Sequence, residues 1–297
     1  MPKKHLYLVL LIVGTAFWGI SFAVVKNGMS YADPYSFLVY KFDGAALALA
    51  LLFFQQIRQL RGRTVAVGLL LAGPLFAGTL LQTVGLQHTT AANAAFITGL
   101  DVLLIPLFKA LVYRQRIAPK TWLACALAFA GLYVVAIRAG FHLHAGDGWI
   151  IACAFGFAWY VLLVGRYARE PLPMAMLVVQ LLACGVLSGL AGAVAGQPLV
   201  VPTAGAFWLA IGFTSLLATA YMYGVQNHAQ RYLPEEKIAL TYLFEPIFAT
   251  LAGAVLLHEA ITPRTLLGGL LIFTAMLLTE VDVLAWLGRG RRRPAAK

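Results

Sequence analysis

Apolar residues follow one another along this chain in runs of helix length, and the polar positions that interrupt them gather into short connections. A helix needs about 20 predominantly apolar residues to cross the hydrocarbon core of a bilayer. By that measure the pattern predicts ten spans, at roughly 6–25, 35–54, 65–86, 92–112, 119–138, 148–167, 174–195, 206–226, 237–257 and 264–284. Pro34, Pro119, Pro173, Pro202, Pro234 and Pro263 stand at element boundaries, where helix-start and turn residues belong. The first run opens like a secretory leader after His5 but continues through Trp18 to Val25, too long for a leader's apolar core and long enough to span. No stretch reads as a soluble domain.

One pattern occurs twice. Asp101-Val-Leu-Leu-Ile-Pro106-Leu-Phe leads through the turn Arg114-Gln-Arg116 to a run from Pro119. Thr241-Tyr-Leu-Phe-Glu245-Pro246-Ile-Phe leads through His258-Glu259 to a run from Pro263. Gly85-Leu-Gln87 matches Gly224-Val-Gln226, and Gln82 and Tyr221 fall at equivalent places. The chain therefore divides into two five-span halves, 1–140 and 141–285, followed by a basic tail, 286–297. Five is an odd number, so the second half must enter the membrane upside down. The expected architecture is an all-α polytopic membrane protein of two inverted repeats around a central cavity, the arrangement in which secondary transporters bind cargo near the midplane.

Composition agrees. Hydrophobic residues make up 61% of the chain and charged residues 11%, against roughly 25% charged in soluble domains. The net charge of +11 does not imply nucleic acid, because the basic residues sit in short connections rather than on one solvated face. Their distribution instead sets an orientation. With the N-terminus in the cytoplasm, 18 of the 22 Lys and Arg fall on the inner side, and only Lys26, Arg138 and Arg264 fall outside. Both termini are then cytoplasmic, and the short loops suit a bacterial inner membrane. Cys125, Cys153 and Cys184 lie inside apolar runs, which supports packing and neither a metal cluster nor disulfides. No cofactor is indicated; the partners are a small-molecule substrate and the lipid bilayer.

The residues Gly85-Leu-Gln, Pro106-Leu-Phe and Arg116-Ile-Ala-Pro119-x-x-Trp122, with the twin set Glu245-Pro246-Ile-Phe and His258-Glu259-x-Ile-Thr-Pro263, resemble the EamA-type members of the drug/metabolite transporter superfamily. Within it the chain resembles the YddG-type amino-acid exporters. The resemblance spans essentially the whole chain and implies a ten-helix bundle with a central cavity that exports small metabolites. The first half departs from the pattern, with Arg116 in its turn and its acid at Asp101 rather than directly before Pro106. The two halves are not expected to contribute equally.

An ionised side chain in mid-span costs about 2.5–3.5 kcal/mol on insertion scales, so each should be paired or used. Lys41, Asp43, Asp101 and Glu245 are so placed. Lys41 and Asp43 point to different sides of one helix, so each needs a partner elsewhere, for Lys41 most simply Asp101 or Glu245. A structural ion pair accounts for Lys41 and Asp43 as well as a function does. Asp101 and Glu245, near Pro106 and Pro246, favour a role in a cavity or gate, since each proline removes a backbone donor and opens the preceding turn. Lys109 is expected to snorkel to the inner interface. Trp18, Gln82, Asn93, Thr98, Trp159, Tyr160, Tyr221, Tyr223 and Gln226 are the candidate substrate-binding lining, with plain packing or interfacial anchoring as the alternative for the aromatics. His88, His228 and His258 fit solvated ends of helices. Gly185-x-x-x-Gly189 and Gly192-x-x-x-Gly196 allow close helix approach, inside a monomer or in a dimer through the seventh span.

These features favour an alternating-access exporter of neutral and aromatic amino acids. The alternatives are a multidrug carrier and a phosphorylated-metabolite or nucleotide-sugar carrier of the same superfamily. A phosphorylated-metabolite or nucleotide-sugar carrier would want several basic residues in the cavity. A membrane enzyme is the rival class, but His258-Glu259 lacks the second histidine of H-E-x-x-H, and no Gly-x-Ser-x-Gly occurs. A channel would build its filter from rings of residues.

Overall fold

Helix starts are set locally. Asp33 caps the second long helix: its Oδ1 accepts from the backbone nitrogens of Tyr35 (2.9 Å) and Ser36 (3.0 Å), with Pro34 in the first turn. Pro173 opens the equivalent helix of the second half after Leu172, which cannot cap; Gln56 Oε1 instead accepts from the Met174 nitrogen at 3.2 Å. The computed structural model describes residues 3–89, 91–136, 145–245, 247, 248, 251 and 263–280.

The elements are α1 (Lys3–Gly28), α2 (Pro34–Leu52), α3 (Phe54–Ile57), α4 (Gly62–Gln87), α5 (Ala91–Thr98), α6 (Asp101–Leu111), α7 (Pro119–Ala136), α8 (Asp147–Arg166), α9 (Pro173–Val194), α10 (Gly205–Ser215), a π-helical turn (Leu216–Tyr221), α11 (Met222–Ala229), α12 (Glu235–Tyr242) and α13 (Pro263–Glu280). Among the described residues there is no strand, and six helices are long and apolar enough to cross a membrane: α1, α2, α4, α8, α9 and the continuous helix Gly205–Ala229. Of the remaining expected spans, the fifth and tenth are the single helices α7 and α13, and the fourth and ninth are broken. The fourth is two helices, α5 and α6, joined at Gly99–Leu100; the ninth is helical to Tyr242 and then turns at Leu243–Phe244. Pro246, His258 and Glu259 lie outside the described residues.

Pro106 does not mark the break in the fourth span. The helix runs through it from Asp101 to Leu111, and the Val102 carbonyl that the missing N–H leaves free accepts from Cys125 Sγ of α7 at 3.5 Å. The chain breaks at Gly99–Leu100 instead, directly before Asp101.

The two halves interlock. The first span of each packs on the third span of the other, α8 on α4 and α1 on Gly205–Ala229, while α2 pairs with α9 and α7 with α13. Small residues make these seams close, as membrane bundles require. A Cβ added at Gly156 would lie 2.9 Å from the Gly78 backbone nitrogen, and one at Gly131 would lie 2.7 Å from the Gly268 carbonyl oxygen. At Gly185 an added Cβ would collide with the Asp43 carboxylate. The glycine face of α9 is thus filled by α2, through Asp43 at Gly185, Val39 at Gly189 and Tyr35 at Gly192.

Lys109 does not snorkel to an open interface. Its Nζ lies 3.0 Å from Glu235 Oε2 and 2.9 Å from Glu236 Oε1, joining α6 to the first turn of α12. The two acids also sit at the positive end of that helix, and Gly165 of α8 leaves the space that Glu235 occupies. Replacing Lys109 by Met removes the cation between two half-buried carboxylates. We expect a loss of up to about 3 kcal/mol, read as lowered thermal unfolding in detergent. Adding Glu235→Gln and Glu236→Gln to the same chain should restore most of it.

Candidate functional site

The breaks in the fourth and ninth spans deliver the two mid-membrane acids. Asp101 follows Gly99–Leu100 at the start of α6, where the helix dipole favours a carboxylate, and Glu245 follows Leu243–Phe244. Both are buried, 4% and 8% exposed, and Asp101 lies close enough for its charge to act on Glu245. They face one cavity in the middle of the bundle, together with Lys41 of α2. The expected ion pair of Lys41 with either acid is not formed: among the described residues no contact within 4.0 Å joins them. Lys41 Nζ stands 5.7 Å from the Phe42 ring, with Cys184 of α9 nearby.

Equivalent residues from the two halves build the walls. Trp18, Ser21 and Phe22 of α1 line the cavity, and so do Phe157, Tyr160 and Val161 of α8, at the spacing that separates Gly85 from Gly224. Gln82 and Thr98 line it too, with Gln82 Nε2 donating to Thr98 Oγ1 at 3.2 Å. Tyr223, Gln226 and Tyr242 complete the lining. The Trp18 ring meets Tyr242 edge-on at 4.9 Å and Tyr223 at 5.7 Å, and Tyr223 meets Tyr160 at 5.6 Å. The void is about 70 Å³, small beside the roughly 300–1,000 Å³ of typical ligand pockets. Anything larger than a few water molecules requires the walls to part.

The π turn anchors this wall. Its wider ring leaves the Ala218 carbonyl available, and Trp18 Nε1 donates to it at 2.6 Å. It also explains why Tyr221 misses the cavity although its equivalent, Gln82, lines it. Gln82 stands in a regular stretch of α4, whereas the π turn carries Tyr221 onto α1, where its hydroxyl donates to the Leu10 carbonyl at 3.0 Å and its ring meets Phe17.

Three more candidates stand away from the cavity lining. Trp159 is one position off the face shared by Phe157, Tyr160 and Val161, and packs against Phe108 and Tyr113. Asp43 points to α9 rather than into the cavity, and Pro106 is buried but not among the lining residues. The side chain of Asn93 lies outside the described residues. Tyr242 and Phe157 were not singled out from sequence. Tyr242 stands one turn before Glu245, a signal in helical spacing, and Phe157 is the repeat partner of Trp18, a signal in the duplication.

Comparisons with known proteins fit a membrane transporter. The EamA-like transporter family model matches the chain twice, over residues 5–137 and 144–281. The chain is 30% identical to an uncharacterized transporter of Archaeoglobus fulgidus over 94% of its length and 88% of the relative's. It is 25% identical to the uncharacterized inner membrane transporter YedA of Escherichia coli K12, covering 88% and 87%. A solved crystal structure shares the fold with a TM-score of 0.75 at 21% identity, covering 94% of this chain and 97% of that one. The chain belongs to the EamA-like transporter family, with the family domain present twice, and it is a transporter rather than an enzyme.

The lining can be checked without knowing the cargo. In a background lacking the native cysteines, a small charged methanethiosulfonate reagent should label Gln82→Cys and spare Tyr221→Cys. Equal labelling of the two would remove the difference between equivalent positions described above.

Proposed function

We propose that this transporter exports small metabolites, foremost neutral and aromatic amino acids, by alternating access of its midplane cavity. The working unit is two inverted five-helix repeats, 1–140 and 141–285, making ten spans in a bacterial inner membrane with both termini cytoplasmic. The observation that carries the reading is that one cavity holds a single amine, Lys41, and two acids, Asp101 and Glu245, not paired with one another, beside the rings of Trp18, Tyr160, Tyr223 and Tyr242. A zwitterion offers a carboxylate to the amine, an ammonium to the acids and an apolar side chain to the rings. The narrowness of the void and the helix breaks beside both acids support a site that opens and closes around its cargo. Because one chain encloses the cavity, a monomer suffices.

Lys41 is the one basic side chain lining the cavity among the described residues, which disfavours phosphorylated metabolites and nucleotide sugars. Aromatic and acidic walls would also suit cationic drugs, and the same assay separates the two. In proteoliposomes preloaded with unlabelled compounds, neutral and aromatic amino acids should accelerate entry of labelled methionine, and sugar phosphates should not. Acceleration by cationic drugs alone would replace the amino-acid reading with multidrug export. Glu245→Gln should insert normally and lower this flux at least about ten-fold, equivalent to ~1.4 kcal/mol. Wild-type flux in that variant would return Glu245 to a packing role.

A further inference from the structure

The amide of Gln226 is oriented from behind the cavity. Gln230 Nε2 donates to the Val161 carbonyl at 2.7 Å, and a carbonyl can only accept, so the nitrogen of Gln230 must be at that end. Its Oε1 is therefore the atom that faces Gln226, 3.3 Å from Gln226 Nε2. That bond in turn takes the Gln226 nitrogen, leaving Gln226 Oε1 buried with no hydrogen-bond partner. The residue is fully buried and lines the cavity, one turn beyond Tyr223. The repeat supplies a contrast. Gln87, at the equivalent position of the Gly-x-Gln pair, is exposed and needs no such arrangement.

A buried acceptor held in one orientation calls for a donor. The neighbouring wall favours a cation: the rings of Trp18, Tyr223 and Tyr242 gather beside Glu245, and aromatic faces attract any ammonium, methylated or not. A primary ammonium has three N–H groups to give to an oriented oxygen, and a quaternary ammonium has none.

We infer that Gln226 is a specificity residue that reads a primary ammonium group, with Gln230 as its positioning residue, so that primary amines are taken in preference to their N-trimethylated counterparts. The inference deepens the proposed function, since it assigns the amine-reading end of the same cavity. Rings and acids supply attraction for both kinds of cation, and the fixed oxygen supplies the discrimination.

The test is direct binding to the full chain in lipid nanodiscs by calorimetry, with phenethylamine and phenethyltrimethylammonium as probes. Wild type should bind the primary amine at least about ten-fold more tightly, because the methylated probe leaves the Gln226 oxygen unpaired. Gln226→Met should abolish that preference while retaining affinity for the methylated probe. Gln230→Met should weaken the preference with Gln226 intact, a result that simple packing of Gln226 would not give. Equal binding of both probes by wild type, binding of neither, or an undiminished preference in Gln226→Met would overturn the inference. If Gln226→Met does not fold, Gln230→Met and the wild-type ratio decide. Should the amine preference hold while no amino acid accelerates counterflow, the amino-acid reading alone falls and the cargo is a simpler amine.

Discussion

A polar group inside a membrane bundle has no water to bond, so the bundle must satisfy it internally, and most features of this protein follow from that constraint. Hydroxyls return to their own helices: Thr83 to the Thr79 carbonyl, Ser188 to Cys184 and Thr214 to Ala210, each at 2.7 Å. Where proline or a π turn frees a carbonyl, a side chain from another helix takes it, Cys125 at Val102 and Trp18 at Ala218. The capping oxygen that α9 lacks comes from Gln56. Against that background the buried polar atoms left without a partner include Gln226 Oε1 and Tyr242 hydroxyl, both on residues of the central cavity.

The same constraint accounts for the helix breaks. A carboxylate inside an unbroken apolar helix has only its neighbours' side chains to bond, whereas one placed just after a turn can also use exposed backbone dipoles. Asp101 and Glu245 both stand directly after such turns. Breaking a spanning helix costs backbone bonds, and the close seams at Gly78–Gly156 and Gly131–Gly268 hold the bundle together around the broken segments.

Duplication gave the two halves a common plan, and packing made them unequal. Gln82 faces the cavity and Tyr221 does not; Gln226 is buried and Gln87 is exposed. The π turn is the local cause on one side. On the cytoplasmic side of the proposed topology, Lys109 of the first half holds Glu235 and Glu236 of the second, so the seam between halves is ionic there.

The sequence by itself determined the class of protein, its duplication and which ionisable residues fall inside apolar runs, because long apolar runs, proline punctuation and isolated charges are one-dimensional signals. It placed Trp18, Gln82, Thr98, Tyr160, Tyr223 and Gln226 in a common lining, and the structure brings them together with Lys41, Asp101 and Glu245. Only the tertiary structure decided that Trp159, Tyr221 and Asp43 face elsewhere, that Lys41 pairs with neither acid, and that Lys109 bridges two helices. The reason lies in the helices themselves. A span that is apolar all round has no amphipathic stripe to say which side meets lipid, neighbour or cavity. Rotation about its axis, and any π turn or break that resets it, is fixed only when the spans pack.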